Sequence, residues 1–503
     1  MKAIEKIKNI IQTLNDEQIK AITSTDGPLL IIAGPGTGKT LTIVARTLYL
    51  LISGKAQPDE IMLTTFTEKA AYELKDRLNQ LAYKINYKCQ MHLLKIGTIH
   101  SVCNDYIIKF LSYTPLKKGY LILDELTQIF FVYENFDEIF PQETGKFLGK
   151  WANKWIAIKE IITYLNKITE ELIEVSKLEN AKNEFLNALA KFYNKYCQKL
   201  LETNRVDFSQ LQKIFYDLLQ NDELYQKIKS KLKYIMVDEY QDTNYIQEQI
   251  LLKLASPKNN ICVVGDEDQS LYRFRGATVR NILEFPKHFG NCKQIKLTIN
   301  YRSHKNIIEK YNKFITSINW NGYRYPKYIK PNPDAEFPEY PAVFCIWGKD
   351  ENDESQRFLT LLKFLKEKRI IEDWSDVVLL LKSVRPEHSS HYIEALKCAG
   401  IPYFCPRARM YFDNIEIKLM LACYTIIFNF YQKEDLAKYP HKKYIEEGIR
   451  LLYENINPAL KNYLQRKVRQ IDNLKEGSLD LTILDYFYQF LAYHPFSNFI
   501  KDK

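Results

Sequence analysis

The stretch LLIIAGPGTGKTL at residues 29–41 decides the fold of this chain. It joins an apolar run, Leu29–Ile32, to a glycine-rich turn and then to a segment over 41–51 that is typical of a helix. A short apolar run beside glycines indicates a buried parallel strand, and a glycine-rich turn before a helix aims unpaired backbone N–H groups at an anion. The stretch therefore predicts an α/β fold in which a parallel sheet carries a phosphate-binding loop (P-loop).

The residues of this loop are candidate nucleotide ligands. Lys39 is expected to hold the β- and γ-phosphates, and Thr40 to coordinate Mg²⁺. The strict motif begins with Gly where this chain has Ala33. An ordinary glycine turn is the alternative, but the strand before the loop and the helix after it disfavour that interpretation. The predicted set comprises Ala33, Gly34, Pro35, Gly36, Thr37, Gly38, Lys39 and Thr40.

The composition is that of a soluble globular protein with several domains. The 503 residues are 46% hydrophobic and 26% charged, and no apolar run approaches the roughly 18 residues of a membrane span. The first residues, Met1–Lys6, carry mixed charge rather than an apolar signal core, so we expect a cytoplasmic protein with no membrane partner. The nine cysteines lack metal-site spacing, and the net charge of +10 has the sign that a polyanion binder needs.

A polar segment precedes the loop. In Leu14–Gln18, Asn15 or Asp16 can cap a helix that carries Gln18 toward the nucleotide, where its amide can pair with the edge of adenine. In isolation, a helix cap followed by a solvent-facing glutamine is the simpler interpretation. The position just upstream of a phosphate loop favours nucleotide recognition.

Two more predicted strands end in side chains suited to nucleic acid. Residues 61–66 form the second strand and end at Phe66, and the segment Gly97–Ser101 repeats the plan with hydroxyls and His100. Parallel sheets bind ligands at the carboxyl ends of their strands. A lone histidine is more often structural, so only its position makes His100 a candidate nucleic-acid contact.

An acidic pair follows a later strand. Residues 234–237 are apolar and lead into Asp238 and Glu239. Asp238 can hold Mg²⁺, and Glu239 can polarise a water for in-line attack on a phosphate. Two adjacent acids are also common at helix N-termini, but the strand and the P-loop together favour nucleotide hydrolysis.

A further apolar strand, residues 261–264, leads to a potential γ-phosphate sensor, Gln269. Basic and aromatic side chains follow within a few residues. Such a segment can couple hydrolysis to movement on a base stack. The candidate nucleic-acid contacts in it are Tyr272, Phe274 and Arg275.

The remaining sequence predicts a helical insertion and a second α/β region. Residues 106–231 show apolar side chains at three- and four-residue spacing, which is typical of packed helices. The second α/β pattern is expected to have strands at 294–297, 342–346 and 377–381. Arg302 follows the first of these strands. An arginine that reaches from a second lobe to a phosphate on the first is the arrangement of an arginine finger.

These ordered segments resemble a superfamily 1 DNA helicase of the UvrD/Rep/PcrA type, and they agree with that family in order and spacing. The motifs are LNDEQ at 14–18, AGPGTGKT at 33–40, TFTEKAA at 65–71, GTIHS at 97–101, DEYQDT at 238–243, GDEDQS at 265–270 and NYRS at 300–303. GIPY at 400–403 and IEIK at 415–418 extend the likeness.

The resemblance implies two RecA-like lobes with helical insertions, ATP and Mg²⁺ as cofactors, and 3′ to 5′ translocation on single-stranded DNA. Single strands and duplex–single-strand junctions are the implied partners. The implied domains are lobe 1A at 1–105 and 206–280, insertion 1B at 106–205, an incomplete lobe 2A at 281–432 and the start of insertion 2B at 433–503.

The resemblance also assigns roles by motif. Gln18 is implied to read adenine, Tyr301 to stack on it, and Arg302 to act as an arginine finger. The implied DNA contacts are Thr65, Phe66, Thr98, His100, Tyr272, Phe274 and Arg275. The implied catalytic set is Lys39, Asp238, Glu239, Gln269 and Arg302.

The chain departs from the family pattern in three places. Leu41 stands where such helicases often have an arginine beside the adenine, and Phe274 replaces a usual tryptophan while keeping an aromatic face. Two late motifs, a Gly-Leu-Glu strand end and a Thr-Arg-Ala helix, are not found. The second lobe is therefore expected to be incomplete and the chain to match the N-terminal part of such a helicase.

Three functional interpretations follow from the sequence. The leading one is an ATP-dependent 3′–5′ DNA helicase. A second is a catalytically weak ATP- and DNA-binding fragment that needs a partner chain to supply the late motifs. A third is the helicase part of a helicase–nuclease such as AddA or RecB. ATPase rates with and without single-stranded DNA would separate the first two.

Overall fold

The computed structural model describes residues 2–88, 90–140, 154–272, 276–339, 342–405, 414–428, 442–472 and 483–497. Contacts divide the chain into two compact units, Met1–Val343 and Phe344–Lys503. The first unit contains the main sheet and the helices that cover it. The described part of the second unit consists of helices and the loops between them.

Among the described residues the strands all lie in the first unit. They are β1 (Leu29–Ala33), β2 (Ile61–Thr65), β3 (Lys95–Thr98), β4 (Leu121–Leu123), β5 (Arg205–Asp207), β6 (Tyr234–Val237), β7 (Ile261–Gly265), β8 (Lys293–Leu297), β9 (Ile299–Asn300) and β10 (Lys330–Pro331).

The helices of the first unit are α1 (Lys2–Ile10), α2 (Asp16–Thr23), α3 (Lys39–Ile52), α4 (Glu68–Lys84), α5 (Ile99–Lys109), α6 (Glu125–Glu134), α7 (Phe136–Ile139), α8 (Lys154–Glu170), α9 (Val175–Glu179), α10 (Glu184–Glu202), α11 (Phe208–Leu218), α12 (Asp222–Lys229), α13 (Tyr245–Ala255), α14 (Val279–Glu284) and α15 (Lys305–Ser317). Those of the second unit are α16 (Glu351–Glu367), α17 (Pro386–Cys398), α18 (Ile415–Ile427), α19 (Lys442–Asn455), α20 (Pro458–Asp472) and α21 (Ile483–Leu491).

The main sheet has six strands in the order β3-β2-β6-β7-β1-β8, and every neighbouring pair is parallel. Strand β1 lies between β7 and β8, since Leu30 pairs with Val263 on one side and with Gln294 on the other. Parallel strands end at one edge of a sheet, so the loops after β1, β6 and β7 open side by side. The predicted α/β class with a P-loop on a parallel sheet is confirmed.

Both faces of the sheet are buried, as is usual for parallel sheets. Along β1, Leu30 and Ile32 point into one hydrophobic core, and Leu29, Ile31 and Ala33 point into the other. Every residue of β1 is buried. The residues of β1 are all apolar because alternate side chains pack into the cores on opposite faces of the sheet.

A helical insertion lies between α5 and α11. Its helices α6 to α10 enclose a separate core whose buried residues lie between Leu123 and Leu200. At the edge of this insertion β4 and β5 pair in parallel, with Leu121 opposite Arg205. The insertion predicted from the helical periodicity is confirmed, while its boundaries at 106 and 205 stay predictions.

A half-buried carboxyl joins the insertion to the sheet region. Glu170, the last residue of α8, accepts a hydrogen bond of 2.8 Å from the Ser209 hydroxyl on α11. Burial raises the pKa of Glu170 to about 7. A Cβ atom placed on Gly276 would lie 2.2 Å from Glu170 Oε2, so glycine is required for this approach.

The prediction that residues 294–297 open a second sheet is wrong. Strand β8 pairs in parallel with β1, from Leu29 opposite Lys293 to Ala33 opposite Leu297. The physical reason is that its apolar side chains, Ile295 and Leu297, pack into the same core as β1. The first sheet therefore extends past the predicted lobe boundary at residue 281.

The strands expected at 342–346 and 377–381 are also absent from the described residues. These segments are apolar but open to solvent, with Phe344 52% and Leu380 84% exposed. An apolar run shows strand propensity, but a strand also needs a neighbour for its backbone hydrogen bonds. Neither segment has such a neighbour in the described part of the chain.

The second unit has its own helical core. Its buried residues come from α18 to α21 and the following turn, and include Leu419, Leu452, Leu460 and Phe490. Helices α18 and α19 approach closely, because a Cβ atom on Gly448 would lie 2.1 Å from the Lys418 carbonyl oxygen. Parts of the predicted second insertion, residues 433–441 and 473–482, lie outside the described residues.

None of the described helices combines the length and the apolar character that crossing a membrane would require.

We expect Phe215→Ala to destabilise the first unit strongly. Phe215 is fully buried on α11 and stacks on Tyr106 with ring centroids 5.2 Å apart. Removing a core aromatic ring leaves a cavity and costs about 3–5 kcal/mol. The measurement is the urea midpoint followed by circular dichroism, with Phe314→Ala as the control because Phe314 is 65% exposed. Equal midpoints for the two variants would contradict the burial of Phe215.

Candidate nucleotide-binding site

The P-loop connects β1 to α3 through residues in left-handed conformations. Gly36 has φ +68° and Gly38 has φ +83°, a region that glycine enters without steric cost. The Thr37 hydroxyl donates to the Gly34 carbonyl oxygen at 2.7 Å and closes the turn. Helix α3 then begins at Lys39, so its first N–H groups face the concave side of the loop.

The loop is held from outside by the segment after β8. Asn300 Nδ2 donates to the Pro35 carbonyl oxygen at 2.8 Å, and the Tyr301 N–H donates to the Gly36 carbonyl oxygen at 2.9 Å. A Cβ atom on Gly36 would lie 2.7 Å from the Asn300 amide. The Asn-Tyr-Arg-Ser motif therefore supports the phosphate loop directly.

Gln18 also contacts the loop. Asn15 caps α2 and forms a reciprocal capping box with Gln18, which confirms the predicted helix start. Gln18 Nε2 donates to the Thr37 carbonyl oxygen at 3.1 Å, and Asn15 Nδ2 donates to the Tyr301 hydroxyl at 2.9 Å. The structure thus brings together Gln18, Tyr301 and the P-loop, the three parts of the predicted adenine site.

Lys39 lies near the carboxyl ends of three neighbouring strands, β1, β6 and β7. Its Nζ is 3.5 Å from Glu239 Oε2, beyond the end of β6, and donates to Gln269 Oε1 at 3.2 Å, beyond the end of β7. The Lys39 side chain is only 10% exposed. Lys39, the predicted phosphate ligand, therefore lies beside Glu239, predicted to polarise the attacking water, and Gln269, the predicted γ-phosphate sensor.

The acidic pair differs in exposure and backbone conformation. Asp238 is buried, and burial raises its pKa to about 7, with the charge of Glu239 adding to the rise and Lys39 and Thr40 opposing it. Glu239 has φ 52° and ψ 45°, in the left-handed region that costs a side-chain-bearing residue about 1–2 kcal/mol. This conformation turns the chain sharply after β6 and sets the Glu239 carboxylate beside Lys39.

Two residues of the same motif were not singled out from the sequence. Gln241 Nε2 donates to Glu239 Oε2 at 2.8 Å, and Gln241 Oε1 accepts from the Asp266 N–H at 3.0 Å, so Gln241 joins the loops after β6 and β7. Asp242 is a third carboxyl near Lys39, and burial raises its pKa to about 7. Their position within the DEYQDT motif is the sequence feature that could have identified them.

The donor set fits a magnesium ion. Asp238, Glu239 and Asp242 place three carboxyl groups around the single ammonium of Lys39. Asp242 Oδ1 and Thr65 Oγ1 are buried, and neither has a hydrogen-bond partner in the described residues. Several carboxyl groups close together, with oxygen atoms that lack hydrogen-bond partners, form the kind of oxygen-rich site that a hard divalent cation prefers.

The predicted DNA contacts divide into four groups. Phe66 and Tyr272 form a ring pair with centroids 5.0 Å apart and planes inclined by 31°. Thr65 is buried at the end of β2. Phe274 and Arg275 lie outside the described residues.

Thr98 and His100 are held by the protein itself. Thr98 caps α5, and its hydroxyl donates to Glu68 Oε1 at 2.8 Å. His100 Nε2 lies 2.7 Å from Gln212 Nε2, and burial lowers the pKa of His100 to about 4. The imidazole is therefore neutral at physiological pH, and contact with a phosphate as a cation is disfavoured.

Arg302 lies at the surface beside the loop. Its backbone N–H donates to Asn300 Oδ1 at 2.8 Å, which fixes the turn after β9. The side chain is exposed and has no hydrogen bond or ion pair among the described residues. An exposed guanidinium at this position is available to a ligand.

The sheet and the loop define a class of protein: an α/β nucleotide-binding protein with a P-loop on a RecA-like parallel sheet. Comparison with family models narrows this class. The UvrD/REP helicase N-terminal domain matches residues 14–290, and the UvrD-like helicase C-terminal domain matches residues 295–488. The chain belongs to the UvrD/REP helicase family, as the motif resemblance predicted.

Individual relatives agree with this assignment. The chain is 31% identical over 431 residues to the ATP-dependent DNA helicase Rep of Buchnera aphidicola subsp. Schizaphis graminum, covering 83% of this chain and 60% of that protein. It is 30% identical over 428 residues to the ATP-dependent DNA helicase PcrA of Staphylococcus epidermidis, covering 84% and 54%. A Staphylococcus aureus PcrA is 28% identical over 481 residues, covering 93% and 60%. The matches thus span between 54% and 60% of the length of these relatives.

We expect Gly36→Ala to weaken nucleotide binding, whereas Gly54→Ala should leave it intact. Both glycines have φ +68°, so both variants carry a similar backbone cost of about 1–2 kcal/mol. Only at Gly36 would the new methyl group push a neighbour, the Asn300 amide, because Gly54 has no atom within 4 Å of that position. Thermal unfolding and titration with a fluorescent ATP analogue would measure the two effects. Equal nucleotide affinities would contradict the role of the Asn300 contact.

Proposed function

We propose that the protein is an ATP-dependent DNA helicase that translocates on single-stranded DNA. The observation that carries the proposal is the meeting of Lys39, Glu239 and Gln269 at the ends of three adjacent strands. The family membership and the names of the relatives support the same activity. We also propose that this translocation runs 3′ to 5′. The support for this polarity is the sequence resemblance.

ATP and Mg²⁺ are the groups that fit this site. The P-loop N–H groups and Lys39 would hold the phosphates, while Thr40 and Asp238 would hold the ion. When bound, the ion neutralises charge on the phosphates during transfer. Gln18 and Tyr301, which flank the loop, are the residues proposed to bind the base.

Hydrolysis is assigned to the carboxylate beside Lys39. Glu239 is one-third exposed, so its carboxylate can reach a water that Asp238, at 5% exposure, cannot. Glu239 is therefore the proposed residue that polarises the attacking water. Arg302, with its exposed guanidinium, is the proposed arginine finger and would stabilise charge that develops on the phosphates.

DNA binding is assigned to the ends of the strands next to the hydrolytic site. Phe66 and Tyr272 follow β2 and β7, so the ring pair they form links the segments after two strand ends of the sheet. Gln241 links the loops after β6 and β7 through Glu239 and Asp266. Phe66 lines one small cavity together with Asp238 and Glu239. A change around the phosphates can therefore be transmitted to an aromatic surface on which bases can stack.

We expect Lys39→Ala to abolish ATP hydrolysis and any unwinding that depends on it. The ammonium is charged and mostly buried beside the phosphate loop, and a charge-assisted contact to phosphate is not replaced by a methyl group. The measurements are phosphate release with and without single-stranded DNA, and displacement of a strand from duplexes with a 3′ or a 5′ single-stranded tail. Lys84→Ala, at the exposed end of α4, is the control.

The wild-type chain should release phosphate and displace strands only from the duplex with the 3′ tail. Phosphate release that Lys39→Ala leaves unchanged would reject the assignment of the site. Displacement from the 5′-tailed duplex alone would reject the polarity but retain the helicase.

Phe66→Ala and Tyr272→Ala should each weaken binding to single-stranded DNA. The loss of one stacked base costs about 1–3 kcal/mol, or roughly 5- to 150-fold in affinity. Fluorescence anisotropy with a labelled oligonucleotide measures this, with Tyr83→Ala as the control because Tyr83 is 87% exposed on α4. If all three variants bind alike, the ring pair is structural packing rather than a stacking surface.

A further inference from the structure

Three consecutive acids follow β7 and surround one buried ammonium. The Nζ atom of Lys327 lies 3.0 Å from Asp266 Oδ1, 2.6 Å from Glu267 Oε1 and 2.8 Å from Asp268 Oδ2. The Lys327 side chain is fully buried, and the three acidic side chains are at most 2% exposed. Such a cluster is stable only when its charges are paired and hydrogen-bonded.

Other groups complete the pairing. Arg324 donates twice to Asp268, from Nε at 2.7 Å and from Nη2 at 3.0 Å, and the Tyr311 hydroxyl donates to the same carboxylate at 2.7 Å. These hydrogen bonds outweigh burial and lower the pKa of Asp268. Burial acts to lower the pKa of Lys327, but the facing carboxylates raise it overall, so the ammonium keeps its proton.

The acidic triplet has the spacing of a cation site, since its ligand atoms lie within 4.8 Å of one another. The Lys327 ammonium contacts all three acids and so takes the place that a metal ion would need. The triplet is therefore a lysine-centred cluster, and the cation at its centre comes from a residue about 60 positions later in the chain.

One member of this cluster, Asp266, is hydrogen-bonded to Gln269 in the proposed hydrolytic site. Asp266 is fully buried and uses its two oxygens differently: Oδ1 faces Lys327, and Oδ2 accepts from Gln269 Nε2 at 2.5 Å. The other end of the same amide, Gln269 Oε1, accepts from Lys39 at 3.2 Å. The contacts thus run from Lys327 through Asp266 and Gln269 to Lys39 without a gap.

This arrangement fixes which end of the Gln269 amide faces the P-loop. With Asp266 Oδ2 accepting from the NH₂ group, the carbonyl oxygen must point toward Lys39. Besides Lys327, Asp266 Oδ1 accepts a longer hydrogen bond from the Asp268 N–H at 3.2 Å, and the Asp266 N–H donates to Gln241 Oε1 at 3.0 Å. Lys327 supplies the charge-assisted contact to this carboxylate, at 3.0 Å. Losing the ammonium would leave the Asp266 carboxylate buried without this charge partner, and would weaken the orientation that it gives the Gln269 amide.

We propose that Lys327 is a positioning residue for the hydrolytic site, which it serves by holding Asp266 so that Asp266 orients Gln269 against Lys39. The inference rests on the proposed ATP hydrolysis and adds a residue to it. Lys327 lies just before β10, so these contacts also connect that segment to the phosphate loop. A displacement of Lys327 would therefore change the position of the Gln269 amide.

The test compares Lys327→Met with Lys330→Met. Methionine keeps the length of the side chain and removes the charge, and Lys330 is an exposed lysine in the same segment. We expect Lys327→Met to lower kcat for ATP at least about tenfold, since small misplacements of catalytic groups are costly, while the Kd for ATP stays within about threefold. Lys330→Met should resemble the wild type. An unchanged kcat in Lys327→Met would overturn the inference.

A double-mutant cycle with Gln269→Ala separates positioning from general stability. If Lys327 acts through Gln269, adding Lys327→Met to Gln269→Ala should cause almost no further loss of kcat. Independent, additive losses would mean that Lys327 only stabilises the fold and would overturn the inference. If Lys327→Met does not fold, Asp266→Ala decides, because it removes the acceptor of the Gln269 NH₂ group while Glu267 and Asp268 still pair with Lys327. Wild-type kcat in that variant would exclude the relay.

The proposed function can fail separately. If the wild-type chain does not hydrolyse ATP, the hydrolytic assignment is lost, and the relay is judged from crystal structures of the wild type and Lys327→Met. The relay then requires the Gln269 amide to leave Lys39 in the variant. An amide that keeps its place would overturn the inference without reference to activity.

Discussion

The position of β1 inside the sheet is the constraint on which the site depends. β1 is paired on both sides, to β7 and to β8, and every one of its residues is buried. A strand held in this way cannot shift its register without moving alternate side chains into the wrong core. The P-loop therefore starts from a fixed point, and the ends of β7 and β8 are fixed beside it.

That placement explains why contacts from distant parts of the chain converge on one short loop. The end of β8 leads to Asn300, which supports Pro35, and the end of β7 leads to Gln269, which contacts Lys39. The end of β6 supplies Glu239 to the same lysine. Each of these contacts is made by a residue only a few positions beyond a strand end. The positions of the strands therefore largely determine the geometry of the site.

Much of this was predictable because the signals are local. The P-loop, the acid pair and Gln269 each follow an apolar run within a few residues, and their side-chain types suit phosphate chemistry. The supporting contacts were not predictable, because Asn300 reaches Pro35 across 265 residues and Lys327 reaches Glu267 across 60. The strand prediction for residues 294–297 had the right element in the wrong sheet, since pairing partners are a property of the whole fold.

The contact between Glu170 and Ser209 has a consequence for proton linkage. In an unfolded chain this carboxyl loses its proton near its ordinary value of 4.5, whereas burial keeps the proton on until about pH 7 in the folded state. Between these values the folded state binds more protons than the unfolded state, so the stability contributed at this junction falls as the pH rises. The helical insertion is thus joined to the sheet region more firmly in mildly acidic than in alkaline solution. Ionisation of this carboxyl on α8 would also place a charge beside Gly276, whose backbone approaches Glu170 Oε2 closely.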